Sequence, residues 1–273
     1  MTDDTRVPAA DIGVIGGSGF YELLSEAEEV RVDTPFGEPS DALTLGTAEG
    51  RRVAFLPRHG RGHRFPAHKI NYRANIWALR SVGVRQILAP CAAGSLRRDL
   101  RPGSVVVPDQ LVDRTGGRVQ TFYNEGAVHV SFADPYYEQG RSALLKASAV
   151  TGSEAVDGGT MVVVEGPRFS TRAESRWFAS HGWSLVNMTG HPEAVLAREL
   201  GLCYASVALV TDLDAGIGPE DGVAQEDVFA LFAQNVERLR RIVLQAVRFL
   251  PEGAQGLPCA EAVQGMALPF ELP

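Results

Sequence analysis

The chain is short of cysteine, of positive charge and of long apolar runs, and each shortage excludes something. Its three cysteines, Cys91, Cys203 and Cys259, are an odd number with no CxxC spacing. Neither a disulfide framework nor a cysteine-built zinc site is expected, and the sequence predicts reduced thiols. A formal net charge of −7 argues against a duplex-binding surface, so no nucleic-acid partner is expected. No uncharged apolar stretch reaches about 18 residues, and the first ten residues are polar and acidic; neither a spanning helix nor a signal peptide is predicted, nor a membrane partner. The expectation is a cytoplasmic protein. Linkers, low-complexity tracts and repeats are missing before about residue 250. The predicted organisation is a flexible start over 1–10, one domain over 11–250 and a Pro/Gly-containing extension over 251–273, lying on the surface or on a neighbouring subunit.

What is present is an alternation of two periodicities. Ile12–Ile15, Val53–Leu56, Arg85–Ala89, Ser104–Pro108, Met161–Val164, Leu185–Met188 and Tyr204–Val210 have strand length and are rich in β-branched residues. Between them, Tyr72–Val82, Thr171–Ser180 and Pro192–Leu200 carry apolar residues three and four apart, and Glu226–Leu250 reads as a long amphipathic closing helix. Pro192 suits a first helical position, where its missing N–H costs nothing. The pattern predicts an α/β fold around one extended sheet.

Several strand ends carry polar chemistry. Tyr204–Val210 runs into Thr211-Asp212-Leu213-Asp214, which puts two carboxylates two residues apart at a strand terminus, where open α/β sheets place ligands. Such a pair suits a planar partner with two donors on one edge, as the N6 amino group and protonated N7 of adenine provide; a plain acidic turn is the alternative. Gly16-Gly17-Ser18-Gly19 ends the first strand in a turn that exposes N–H groups, with the Ser18 hydroxyl beside them. It matches neither GxGxxG nor a P-loop. Arg58-His59-Gly60 follows another strand, and an arginine fork with one histidine N–H can hold phosphate oxygens. His59, His63 and His68 lack helical zinc spacing, so no metal is expected. Thr189, after Asn187-Met188, offers a further hydroxyl near a helix start, or else caps that helix, and Phe169 could stack on a flat ring or fill core.

With these segments placed, the sequence resembles the methylthioadenosine phosphorylase branch of the trimeric purine nucleoside phosphorylase family. The resemblance spans Gly13 to about Leu250. It rests on Gly16-Gly17-Ser18-Gly19, Asp33-Thr34-Pro35-Phe36-Gly37, Arg58-His59-Gly60, Asn71-Tyr72-Arg73-Ala74-Asn75, Gly94-Ser95-Leu96, Asp109-Gln110, Glu165-Gly166-Pro167-Arg168-Phe169, Asn187-Met188-Thr189, Pro192-Glu193 and Thr211-Asp212-Leu213-Asp214. It implies a single domain with a twisted mixed β-sheet flanked by helices, assembled as a homotrimer, and phosphorolysis of 5'-methylthioadenosine with inorganic phosphate as co-substrate and no cofactor. By position it assigns Ser18, Arg58, His59, Cys91, Ala92 and Thr189 to phosphate, Met188 to ribose and Phe169 to the base, with Ser170 in the substrate site. Asp212 and Asp214 fall at the base edge as the catalytic pair, Asp212 assisting protonation at N7 and Asp214 accepting from N6, and His129 is lent across a subunit interface to the 5' end. Gln225, Val228 and Phe229, on one helix face, line the 5' pocket.

The sequence departs from the family pattern at three places: Cys91 stands for a threonine, Gly190-His191 for a small or apolar pair, and Gln225 for an apolar residue. The last keeps an adenosine or broad 6-aminopurine nucleoside phosphorylase, or an enzyme for another 5'-modified deoxyadenosine, as the alternative. A non-catalytic nucleoside-binding protein and a nucleosidase using water are the remaining readings, and the complete phosphate set disfavours both.

Overall fold

A computed structural model describes residues 9–17, 24–218, 222–253 and 256–273. The seven predicted strands form as β1 (Ile12–Gly16), β4 (Arg51–Pro57), β5 (Gln86–Ser95), β6 (Val105–Val107), β9 (Thr160–Val164), β10 (Leu185–Asn187) and β11 (Cys203–Leu213). Four more, β2 (Ser25–Val30), β3 (Leu43–Ala48), β7 (Gln110–Arg114) and β8 (Ala155–Asp157), complete a mixed sheet of eleven strands among the described residues. Its main path runs β2-β3-β4-β1-β5-β10-β9-β7, and it branches at β5, because β11 pairs with β5 and carries β6 and then β8.

That branch explains a proline in mid-sheet. β1 pairs with β5 only as far as Val14 opposite Leu88. Pro90, two residues on, therefore has one side free of a ladder, where its missing N–H is harmless. The Pro90 carbonyl accepts from Arg58 Nη1 at 3.1 Å. β5 and β11 then run on side by side to Ser95 and Leu213, with a register shift between Val210 and Asp212. The ends of these two strands, with those of β1, β4, β9 and β10, build the functional region.

The predicted helices are α1 (Tyr72–Ser81), α3 (Arg172–Ser180), α4 (Gly190–Glu199) and α5 (Gln225–Phe249); α2 (Glu138–Val150) and a short α6 (Pro258–Glu261) were not expected. α3 starts with a capping box between Thr171 and Glu174. α4 is broken at His191, so its regular turns begin at Pro192, the predicted first position. α2 lies close on β11 because Gly140 has no side chain; a Cβ there would sit 2.8 Å from the Ala205 Cβ. The C-terminal half of α5 buries Leu239, Ile242, Val243, Ala246 and Val247, whereas its first three turns are largely exposed.

One expectation fails outright. Cys203, at the start of β11, is bonded to Cys259 in α6, with Cα atoms 5.2 Å apart. Only Cys91 is a free thiol. The pairing joins residues 56 apart in sequence and depends on the tail folding back, which spacing cannot show. Leu257 and Cys259 enter the core beside α5, and Phe270 and Leu272 pack against an aromatic cluster around Trp77 and Phe122. Within this chain the residues after 250 thus return to their own core. None of the described helices is long and apolar enough to cross a membrane.

Candidate active site

A cavity of about 520 Å³ opens at the strand ends and brings together residues from the whole chain. Of the predicted site residues, Arg58, His59, Cys91, Ala92, Phe169, Ser170, Met188, Thr189, Asp212, Asp214, Gln225, Val228 and Phe229 all line it. Ser18 lies outside the described residues. His129 is exposed in the loop between β7 and α2 and is not among the residues lining the cavity. Sequence reading missed Phe232, His63, Pro66 and Ala67, which also line it.

The acidic end is set by β5 and β11. Gly94 lies against both aspartates: a Cβ on it would come within 2.9 Å of Asp212 Oδ1 and 3.5 Å of the Asp214 Cβ, so a side chain here would displace the pair. Thr211 Oγ1 donates to Asp212 Oδ2 at 2.8 Å. Ser175 Oγ of α3 donates to Asp214 Oδ2 at 2.7 Å, and the Asp214 amide donates to the Ser95 carbonyl. Burial pushes the Asp212 carboxyl up to about 6, a rise that the Thr211 bond moderates and the Asp214 charge increases. Burial also raises Asp214, against the pull of Ser175 and Ser170. A buried carboxyl that titrates near neutrality can hold a proton for a departing base.

The expected phosphate fork is already occupied. Arg58, 2% exposed, donates through Nε and Nη2 to Glu193 of α4 at 2.8 and 2.9 Å, and through Nη2 and Nη1 to the carbonyls of Ile15 and Pro90. Glu193 also accepts from the Tyr204 hydroxyl at 2.8 Å. Burial alone would lower the guanidinium pKa, but the Glu193 charge and hydrogen bonds raise it overall. Four of the five guanidinium N–H groups are taken, so a two-bond grip on phosphate is not available. Arg58 offers one Nη1 N–H, and it ties the ends of β1 and β5 to α4. Glu193 was visible only as part of a motif; its partner is 135 residues away, beyond any local signal.

His59 also differs from expectation. Its Nδ1 lies 2.9 Å from the Phe65 carbonyl, which can only accept, so Nδ1 carries the proton. Burial and the Arg58 charge push the ring down to about 4, and it is neutral at physiological pH. Nε2 is then an acceptor, suited to an oxygen that bears a proton. His63 stacks on His59 with centroids 4.2 Å apart, and Phe229 of α5 packs edge-on to His63.

Burial raises the Cys91 thiol, so it sits beside the Ser206 hydroxyl at 3.7 Å as a neutral, weak donor. Thr189 does not cap α4. Asn187 Oδ1 takes that role, accepting from the Thr189 and Gly190 amides at 2.6 and 2.7 Å, and holds the Thr189 hydroxyl only at 3.4 Å. Met188 packs its sulfur over Gly166, where a Cβ would stand 2.6 Å away; φ there is +68°, which also favours glycine. His191, one of the unusual residues, bonds Gln120 Oε1 at 2.6 Å and lies 3.2 Å from Asp113, and it is not among the residues lining the cavity.

Comparison with known proteins agrees with this geometry. Residues 11–248 match the model of the phosphorylase superfamily. The chain is 59% identical to a purine nucleoside phosphorylase of Streptomyces coelicolor over 97% of this chain and 98% of the relative. It is 57% identical to an S-methyl-5'-thioadenosine phosphorylase of Mycolicibacterium smegmatis over 96% and 99%. A crystal structure of a methylthioadenosine phosphorylase from an antarctic soil metagenomic library superposes with a TM-score of 0.87 at 41% identity, covering 93% of this chain and 91% of that one. The chain belongs to the phosphorylase superfamily, among its purine nucleoside and methylthioadenosine phosphorylases.

Proposed function

We propose that the protein cleaves 5'-methylthioadenosine with inorganic phosphate, releasing adenine and 5-methylthioribose 1-phosphate. The observation that carries this reading is the pair of raised carboxylates, the half-buried Asp212 and the buried Asp214, in one cavity with the apolar Val228, Phe229 and Phe232 of α5. Breaking an N-glycosidic bond leaves positive charge on the sugar and negative charge on the base. Asp212, protonated, gives its proton to N7, while Asp214 accepts from the N6 amino group. Both interactions strengthen as the base departs. Phosphate binds against C1' through Thr189, the free Nη1 N–H of Arg58 and the backbone beside Ala92, with its P–OH on His59 Nε2. The proton count closes: adenine keeps the proton from Asp212, and the proton that hydrogen phosphate gives up on forming the ester passes to solvent, from which Asp212 is protonated again. No resident cofactor is needed.

The methylthio group meets Val228 and Phe229, and His129 of a neighbouring subunit in a homotrimer completes that end. Phe229, 51% exposed in the single chain, fits a wall that is finished by a partner. A second reading, a phosphorylase of adenosine, draws on one observation: Gln225 also lines the cavity, and its amide can bond a 5'-hydroxyl. Phosphorus NMR of a reaction with methylthioadenosine tests the proposal. A sugar 1-phosphate ester formed in step with adenine is expected; free methylthioribose, or no adenine, would overturn it.

A further inference from the structure

Behind the cavity, on the loop between β7 and α2, stands an arginine that no motif marks. The Arg118 side chain is 3% exposed and does not line the cavity, yet it bonds every segment that forms one side of it. Nη1 donates to the carbonyls of Met188 at 2.8 Å and His191 at 2.6 Å. Nη2 donates to the Glu165 carbonyl at 2.6 Å, and Nε to the Glu165 carboxylate at 3.1 Å. Nη1 also reaches the Tyr72 hydroxyl at 3.4 Å, and that hydroxyl donates to the carbonyl of Ala67, another lining residue. The same loop adds the Gly116 amide to Glu165 Oε2 and Gln120 to His191.

We infer that Arg118 is a positioning residue for catalysis: its planar fork sets the spacing between the Met188-Thr189 segment, assigned to sugar and phosphate, and the Gly166–Phe169 turn, assigned to the base. A fork of fixed geometry does this where a flexible point charge cannot, since one guanidinium spans carbonyls on two separate segments at once. Reacting groups held by different segments lose rate steeply when the segments drift by about an ångström. The inference rests on the assignment of the cavity to nucleoside and phosphate.

The test uses full-length Arg118→Lys and Arg118→Ala, assayed for adenine release with methylthioadenosine and phosphate, with and without added guanidinium, alongside amide hydrogen exchange of the apo-protein. Arg118→Lys is expected to lose about 10-fold or more in kcat and Arg118→Ala about 100-fold or more. Guanidinium should restore part of the Ala variant's rate, and amides of 166–169 and 188–191 should exchange faster in both. Should Arg118→Ala fail to fold, the Lys variant carries the test alone. Faster exchange with kcat within twofold of the parent, or a rate loss that only follows the folded fraction, would overturn the positioning role. Because exchange needs no substrate, a wild-type protein inactive on methylthioadenosine would instead fault the assignment of function.

Discussion

The two walls of the cavity are built in opposite ways. The wall made by β5, β11 and α4 is buried and its polar groups are paired: Asp214 with Ser175, Asp212 with Thr211, Arg58 with Glu193. Its geometry is fixed by a parallel ladder from Gln86 to Ser95 and by glycine at position 94. The wall made by the start of α5 is largely exposed, begins with a helix lacking a side-chain cap at Gln225, and meets the rest through Phe229 against His63 and Phe232 against the core. Under the proposed function, recognition of the base and delivery of its proton fall to the rigid wall. The choice of 5' substituent then falls to the loose one, where substitutions are cheap for the fold.

On that division, changes to the rigid wall should cost stability or rate heavily. The largest effect is expected at Arg58. Lysine cannot make four directed bonds, and it would leave Glu193 buried and partly unpaired, so Arg58→Lys should destabilise the fold by about 3–5 kcal/mol, read as a lower midpoint in urea. A variant as stable as the parent, with only its phosphate requirement raised, would show that Arg58 is a ligand and not a strut.

Asp212→Asn comes next. It removes a proton donor worth about 10²–10⁴-fold in rate, so adenine release from methylthioadenosine should fall by at least about 100-fold while relative activity on the 6-oxo analogue rises. An unchanged base preference would remove Asp212 from the base edge. The parent's kcat/KM at saturating phosphate should fall as pH rises through about 6, because the acid form is being lost, and that limb should be missing from the residual activity of the variant.

The same residue separates function from stability. Its folded pKa is raised, so the associated stabilisation is complete below the unfolded value and is lost as pH rises through about 6. Asp212→Asn should match the parent near pH 4 and exceed it by about 1–3 kcal/mol above neutrality. Equal urea midpoints at pH 8 would mean that the buried carboxylate carries no cost.

Smaller effects belong to Cys91 and to the loose wall. Cys91→Thr supplies a hydroxyl in place of a weak thiol and should lower the phosphate KM by a few-fold, roughly 1 kcal/mol; no change would place phosphate away from Cys91. Gln225→Val should improve use of methylthioadenosine over adenosine by about 1 kcal/mol with an unaltered urea midpoint. Parallel changes for both substrates would mean that Gln225 does not read the 5' end.

The buried centre of the fold was legible where apolar runs were long or β-branched, as in β1, β5 and β11. β2 was not, since Ser-Glu-Ala-Glu-Glu-Val is an acidic edge strand that protects the sheet margin instead of filling the core. α2 was obscured by Gly140 in its interior, which the close approach to Ala205 requires. Motifs located most of the cavity residues because those sit at or just past strand ends, whereas Gln225, Val228 and Phe229 lie on α5. They could not show that Arg58 faces Glu193, that His59 accepts at Nε2, that Arg118 bridges two segments or that Cys203 meets Cys259. All four depend on contacts between segments far apart in sequence, or on which partner a versatile group finds first.

The most direct test of the account is adenine release from methylthioadenosine and from adenosine, each with and without phosphate. Release that requires phosphate and is faster for methylthioadenosine is the predicted result, with the rigid wall reading adenine and the apolar face of α5 favouring the thioether. Release without phosphate, or from neither nucleoside, would contradict it.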